Sequence, residues 1–254
     1  ENAGVAFGSQ PVLRGLSLQV PRGQSLAIIG ESGCGKTVFL KLLIALQRPS
    51  AGTVRFEGKI LADLTDPELV QQRLRKGFLF QGAALFDSLT VFDNVAFGMR
   101  ERPGPAAPDL AARVRQHLQD VGLSAEVEAK KPAELSGGMK KRVGLARALA
   151  LDPEVMLYDE PTTGLDTIMS DVINELIVQA RQRRPMTSVI VTHDLKTVRK
   201  AADRVIMLGP LARLGPEEPQ IMFDGPSADL DQATDPRVLQ FVRGEAGDRL
   251  REVK

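Results

Sequence analysis

Apolar residues follow two rhythms that take turns along this chain. Short continuous or alternating apolar runs mark strands, and recurrence every three or four positions marks helices. Residues 3–29 read as short strands: residues 12–20 largely alternate, as a half-buried strand does, and Pro21-Arg22-Gly23 turns the chain into the apolar run 25–29. Residues 38–44 read as a helix, and residues 53–56 and 59–61 as strands flanking a turn at Glu57-Gly58. Thr65-Asp66-Pro67-Glu68 has the form of a capping box opening a helix expected to end at Gly77. Phe78-Leu79-Phe80 reads as a buried strand that delivers Gln81.

From residue 82 to about 151 the character turns helical. Helices are expected at 91–99 and 108–121, separated by the breaker-rich Pro103-Gly104-Pro105. After Leu135-Ser136-Gly137-Gly138, the residues Met139, Val143, Ala146 and Ala150 recur on one face of a further helix. Strands then resume at 155–158, 188–191 and 205–208, with helices at 168–181 and 195–201 between them. Strands alternating with helices imply a mostly parallel sheet with right-handed crossovers. A breaker-rich loop at 209–219 precedes a last strand at 221–223. Asp235 opens a helix with Pro236 in its first turn. Val238, Leu239, Phe241 and Val242 are many apolar residues for a free tail, so this helix is expected to dock, on its own domain or elsewhere. The organisation expected is an α/β core over 1–81 and 152–225, a helical subdomain inserted at 82–151, and a C-terminal helical tail at 226–254.

The chemistry centres on Gly30-Glu31-Ser32-Gly33-Cys34-Gly35-Lys36-Thr37, which fits G-x-x-x-x-G-K-S/T between a buried strand and a helix. Glycines at 30, 33 and 35 let the backbone wrap closely round a polyphosphate with N–H groups pointing inward, and the helix N-terminus adds positive charge. Lys36 would reach the β- and γ-phosphates, and Thr37 would offer its hydroxyl to Mg²⁺. Downstream, Val155-Met156-Leu157-Tyr158-Asp159-Glu160 is an apolar strand ending in two carboxylates. Asp159 would hold Mg²⁺, directly or through water, and Glu160 would orient and activate the attacking water. Ser136 is an apt N-cap, and Gly137 and Gly138 leave N–H groups exposed at a positive helix end, a second anion-binding surface. One subunit has no need of it for one nucleotide, so the simplest geometry sets it over the γ-phosphate bound by another copy.

Composition narrows the partners. A formal net charge of +1, no Trp and a single Tyr argue against a nucleic-acid surface. The one cysteine, Cys34, excludes internal disulfides and fits a reducing compartment; it reads as a bystander in the loop rather than a redox switch. No apolar run reaches the roughly 18 residues that cross a bilayer. The chain begins at Glu1 rather than Met, so its N-terminus is expected to be trimmed, with a lost targeting segment left open. Any membrane role is expected from the cytoplasmic side, through a partner.

Phosphate loop, Gln81, the LSGG stretch, YDEP at 158–161, Gly164-Leu165-Asp166 and His193 occur in the order and spacing of ABC-transporter ATPases, and the resemblance covers almost the whole chain. It implies a P-loop NTPase core with an antiparallel β part. It implies that ATP and Mg²⁺ are bound by residues 30–37 other than Glu31, with the adjoining Val38. It further implies that Phe7 stacks on adenine, that Gln81 contacts Mg²⁺ and the attacking water and couples to the membrane partner, and that Asp166 lies between two ATP sites. His193 would sense the γ-phosphate. On their own, Phe7 reads as core, Gln81 as a polar strand end, His193 as a capping residue before Asp194, and His117 as solvated.

Residues 78–101, 135–154 and 158–177 resemble more narrowly the ATPases of Mla-type bacterial lipid transporters. Met139 and the run Lys140-Lys141-Arg142 fit that group, although a charge run on a helix is usually its solvated face. Those ATPases work with a permease, a mammalian-cell-entry (MCE) domain protein and often a small STAS-domain protein, and their C-terminal tail grips the partner ATPase. The resemblance therefore implies a peripheral subunit at the cytoplasmic face of the inner membrane, paired with a second copy of itself, and no nucleic acid. Departures are Val38 for the usual second Thr, Thr167 for a common Pro, and a longer 209–219 loop. The alternatives are an ABC ATPase of a soluble iron–sulfur assembly scaffold, another ABC importer or exporter, and a nucleic-acid-linked ABC ATPase.

Overall fold

The computed structural model describes residues 1–102 and 109–246. The expected Pro103-Gly104-Pro105 loop, the first residue of the helix expected from 108, and residues 247–254 of the tail lie outside them. In chain order the strands and helices are β1 (Ala3–Phe7), β2 (Gln10–Leu16), β3 (Ser25–Gly30), α1 (Lys36–Leu43), β4 (Arg55–Phe56), β5 (Lys59–Ile60), α2 (Asp66–Leu74) and β6 (Lys76–Leu79). They continue with α3 (Val91–Glu101), α4 (Leu110–Asp120), α5 (Gly137–Leu149), β7 (Val155–Asp159), α6 (Thr167–Arg183) and β8 (Thr187–Val191). The last are α7 (Leu195–Ala201), β9 (Arg204–Leu208), β10 (Ile221–Pro226) and α8 (Pro236–Arg243).

Two compact units divide the chain. The first comprises residues 1–20, 25–63 and 192–254, the second residues 21–24 and 64–191. In the first, β1 and β2 form an antiparallel pair, β3 runs parallel to β9, and β10 runs antiparallel to β9. Strand β3 is buried along its whole length, which its uninterrupted apolar run requires. Helix α8 docks at home. Val238 is fully buried with Ala27, Ile29, Val198, Val205, Met207 and Leu230, and Leu239, Phe241 and Val242 pack against that cluster. Asp235 caps the helix by accepting from the Arg237 N–H at 2.8 Å. The resemblance favours a tail that reaches out to the partner ATPase, whereas among the described residues α8 packs on the chain's own core.

In the second unit β6, β7 and β8 are parallel neighbours, with α2 to α6 among the connecting segments. The capping box is present: the Thr65 N–H donates to the Glu68 carboxylate at 2.9 Å. The helix it opens ends at Leu74, because Gly77 belongs to β6 and does not stop a helix. A Cβ at Gly77 would lie 2.2 Å from Met156 Sδ and 2.7 Å from the Ala148 carbonyl, so this glycine lets strand and helix approach. Phe80 falls outside β6 and is exposed, its ring stacked on Phe78 at 4.1 Å. His117 is half-buried on α4 rather than solvated, and burial pushes its pKa below the usual histidine value.

Candidate functional site

The candidate groups are spread over both units. In the first, β3 delivers Gly30 and α1 begins at Lys36, so residues 31–35 form the turn between a buried strand and a helix N-terminus. Two glycines are sterically required. Gly30 has φ +143° and a Cβ there would meet the Leu208 carbonyl at 2.4 Å; Gly35 has φ +98° and a Cβ there would meet Leu13 Cδ2 at 2.5 Å. The Lys36 ammonium donates to the carbonyls of Gly30 at 2.7 Å and Glu31 at 2.9 Å, which keeps it inside the loop. Ser32 and Gly33 face solvent, and Thr37 and Val38 are half-buried on the first turn of α1. Cys34 is buried, and that burial pushes its thiol pKa up, which leaves a poor nucleophile in keeping with a bystander.

Phe7, at the end of β1, is 52% exposed, so it is not a core residue. His193 is exposed as well, and the cap of α7 is its neighbour Asp194, whose carboxylate accepts from the Lys196 N–H at 2.9 Å. The plain readings of these two side chains, core and cap, therefore do not hold.

In the second unit the register of β6 on β7 pairs Leu79 with Tyr158, so Gln81 and the carboxylates of Asp159 and Glu160 leave the same end of adjacent parallel strands. Asp159 is buried, and Glu160 is half-buried with φ +48°, an uncommon conformation for a side chain of this size. The Glu160 N–H donates to the Val191 carbonyl at 2.8 Å, and its carboxylate accepts from the Thr163 hydroxyl at 3.2 Å. Lys141 secures this end of the sheet. Its ammonium donates to the carbonyl of Glu160 at 3.0 Å and to that of Gln81, and the side chain is buried. Burial pushes the Lys141 pKa down, opposed by the Asp159 and Glu160 carboxylates. The run Lys140-Lys141-Arg142 is therefore not simply a solvated face. Its middle member lies inward on α5, and its spacing of three, four and seven residues from the buried Gly138, Leu145 and Ala148 was the available signal.

Ser136 caps α5 by accepting from the Met139 N–H at 3.3 Å, and Ser136 and Gly137 are exposed at that helix start. Gly138 is buried, and a Cβ there would lie 2.5 Å from Met169 Cε on α6. Asp166 is exposed and caps α6, accepting from the Met169 N–H at 2.9 Å.

Residues 13–163 match the family described as ABC transporter. The chain belongs to the ABC transporter family. Over 244 residues it is 38% identical to the intermembrane phospholipid transport system ATP-binding protein MlaF of Haemophilus influenzae, covering 96% of this chain and 89% of that protein. It is also 38% identical to the probable ribonucleotide transport ATP-binding protein mkl of Mycobacterium leprae, covering 94% of this chain and 66% of the relative. The chloroplastic protein TRIGALACTOSYLDIACYLGLYCEROL 3 of Arabidopsis thaliana is again 38% identical, with 97% and 73% covered. Among solved structures, the dimeric post-hydrolysis state of the ATP-binding cassette MJ0796 bound to ADP and Pi superposes with a TM-score of 0.75 at 30% identity, over 83% of this chain and 94% of that one. The cbiO1 subunit from Clostridium perfringens gives a TM-score of 0.78 at 26% identity, over 99% and 94%. This ABC ATPase binds and hydrolyses ATP, and its fold is the expected α/β P-loop core with a mostly parallel sheet, an antiparallel part and added helices.

Proposed function

We propose that this chain is the ATP-hydrolysing subunit of a bacterial ABC complex that moves phospholipid between membranes. The observation that carries the substrate class is the match, over nearly the whole of this chain, to a relative whose name specifies phospholipid transport. Two copies close around two ATP molecules and open after hydrolysis, a reading supported by the dimeric cassettes of the same fold. Residues Gly30, Ser32, Gly33, Cys34, Gly35, Lys36, Thr37 and Val38 bind the phosphates, and the exposed Phe7 stacks on the adenine. Ser136, Gly137, Gly138 and Asp166 meet the nucleotide held by the second copy. Glu160 takes a proton from the attacking water, Gln81 contacts that water, and His193 senses the γ-phosphate.

Thr37, Asp159 and Gln81 are an all-oxygen donor set, which suits Mg²⁺. Among the described residues no group of three or more His, Cys, Asp or Glu could hold a metal ion. Bound there, the ion would neutralise charge that builds up on the phosphates.

Among the described residues no helix is long and apolar enough to cross a membrane. In this proposal the subunit sits peripherally on the cytoplasmic face of the inner membrane, docked on a permease that works with an MCE-domain protein and a small STAS-domain protein. The helices between residues 82 and 151 pass the closing motion to that permease.

Tagging the chain in its native host, solubilising membranes in mild detergent and identifying what co-purifies by mass spectrometry tests the proposal. A multi-span permease with an MCE-domain protein and bound phospholipid is the expected result. A soluble assembly scaffold, or a permease without lipid whose ATPase responds to ribonucleotide, would overturn the lipid reading.

A further inference from the structure

The loop joining β9 to β10 is longer than the family resemblance leads one to expect, and the structure shows where the extra length goes. Residues 209–220 are closed at the base by the Gly209 N–H donating to the Gln220 carbonyl at 2.8 Å. The Gln220 side chain is 2% exposed and every polar atom on it is used. Its Oε1 accepts from the Arg14 N–H at 2.9 Å. Its Nε2 donates to the carbonyls of Val12 and Cys34, each at 3.1 Å, and of Gly209 at 3.3 Å. Cys34 lies within the phosphate loop, so this buried amide fixes the loop's backbone to the β9–β10 connection.

Further contacts hold the connection down. The Arg14 guanidinium donates to the carbonyls of Gly215 and Glu218, both at 2.7 Å. The Glu218 carboxylate accepts from the Gly215 N–H at 2.7 Å and pairs with Arg237 of α8 at 3.4 Å. At its tip, Arg213 forms a salt bridge with Glu31, the second residue of the phosphate loop, and the Glu31 side chain is only 19% exposed.

Glu31 is an electrostatic problem for this loop. A half-buried carboxylate among residues that receive a polyphosphate repels the ligand, and weak screening there makes the repulsion stronger than it would be in water. A fixed guanidinium bound to that carboxylate removes most of the repulsion.

We propose that residues 209–220 form a strap that sets ATP affinity, with Gln220 positioning the backbone of the phosphate loop and Arg213 neutralising Glu31. Both are positioning residues. Neither residue is one of the proposed reacting groups, so loss of the strap appears in KM and not in kcat. The proposal rests on reading residues 30–37 as the phosphate loop, which Lys36→Ala tests separately.

The experiment is a fluorescence titration with a ribose-labelled ATP analogue, beside steady-state ATPase kinetics, on the full chain. Arg213→Gln is expected to raise Kd and KM for ATP about ten-fold, with kcat within two-fold of the parent. Glu31→Gln removes the repelling charge and is expected to bind ATP at least as tightly as the parent. The double variant Arg213→Gln/Glu31→Gln is expected to recover the parent's affinity, which a merely structural role for Arg213 would not produce. Arg213→Gln with unchanged affinity, or a double variant as weak as Arg213→Gln alone, overturns the strap. If Lys36→Ala keeps the parent's affinity, the phosphate-loop reading falls instead.

Discussion

Lys76 opens β6 almost fully buried, close enough to Arg75 and Arg73 for their charges to act on it. Burial, reinforced by those arginines, pushes its pKa down to about 8. The native state therefore gives up the Lys76 proton at a lower pH than the unfolded chain does. Between about pH 8 and the ordinary lysine value near 10.4, the unfolded state binds more protons, so stability rises with pH. Below pH 8 the full cost of burying the charge is present. Relative to the parent, Lys76→Met is expected to be more stable at pH 7 than at pH 10, because the cost of burying the charge falls away as pH approaches 10. Urea unfolding of both proteins at pH 7 and pH 10 measures this. An equal difference at the two values would place the effect in packing instead.

At the scale of elements, the described residues bring α5 together with the ends of β6 and β7 through one side chain. Lys141 donates to the carbonyls of Gln81 and Glu160, so the helix that Ser136 caps also holds the segment carrying the proposed general base. Lys141→Met keeps the apolar stem but removes both donations, each a hydrogen bond from a charged group. The expected result is a kcat lower by about ten-fold or more with a smaller change in ATP affinity, because the contact holds the segment carrying the proposed general base and not the phosphate loop. Lys141→Arg, which still donates, is expected to recover much of that rate. A Lys141→Met variant with normal kcat would reduce the contact to packing.

This contact was hidden in the sequence for a physical reason. A cation flanked by two cations looks like a wet helix face, and burial depends on carbonyls that arrive from segments far away in the chain. Gly77 misled for a similar reason, since a glycine after a capped helix looks like a stop, whereas this one admits Met156 and the Ala148 carbonyl. The apolar stripe of α8 announced burial but not the surface that provides it. By contrast, β3, α1, β7 and α7 were readable because local pattern and chemistry point the same way at each.

For the whole molecule, the motif order that carries the family assignment lies in the sequence, and each motif is set on a strand end or helix start. The phosphate loop follows β3, the carboxylates end β7, and Ser136 and Asp166 cap α5 and α6. In the proposed complex the substrate and its direction of travel belong to subunits other than the ATPase, so they leave little trace in this chain. What the account requires of this chain alone is that Glu160 activates water for an ATP that Lys36 and its loop hold. The most direct test is the ATP turnover of Glu160→Gln, read beside its ATP affinity. The account predicts affinity close to the parent and turnover about 10²–10⁴-fold lower. Turnover near that of the parent would contradict it.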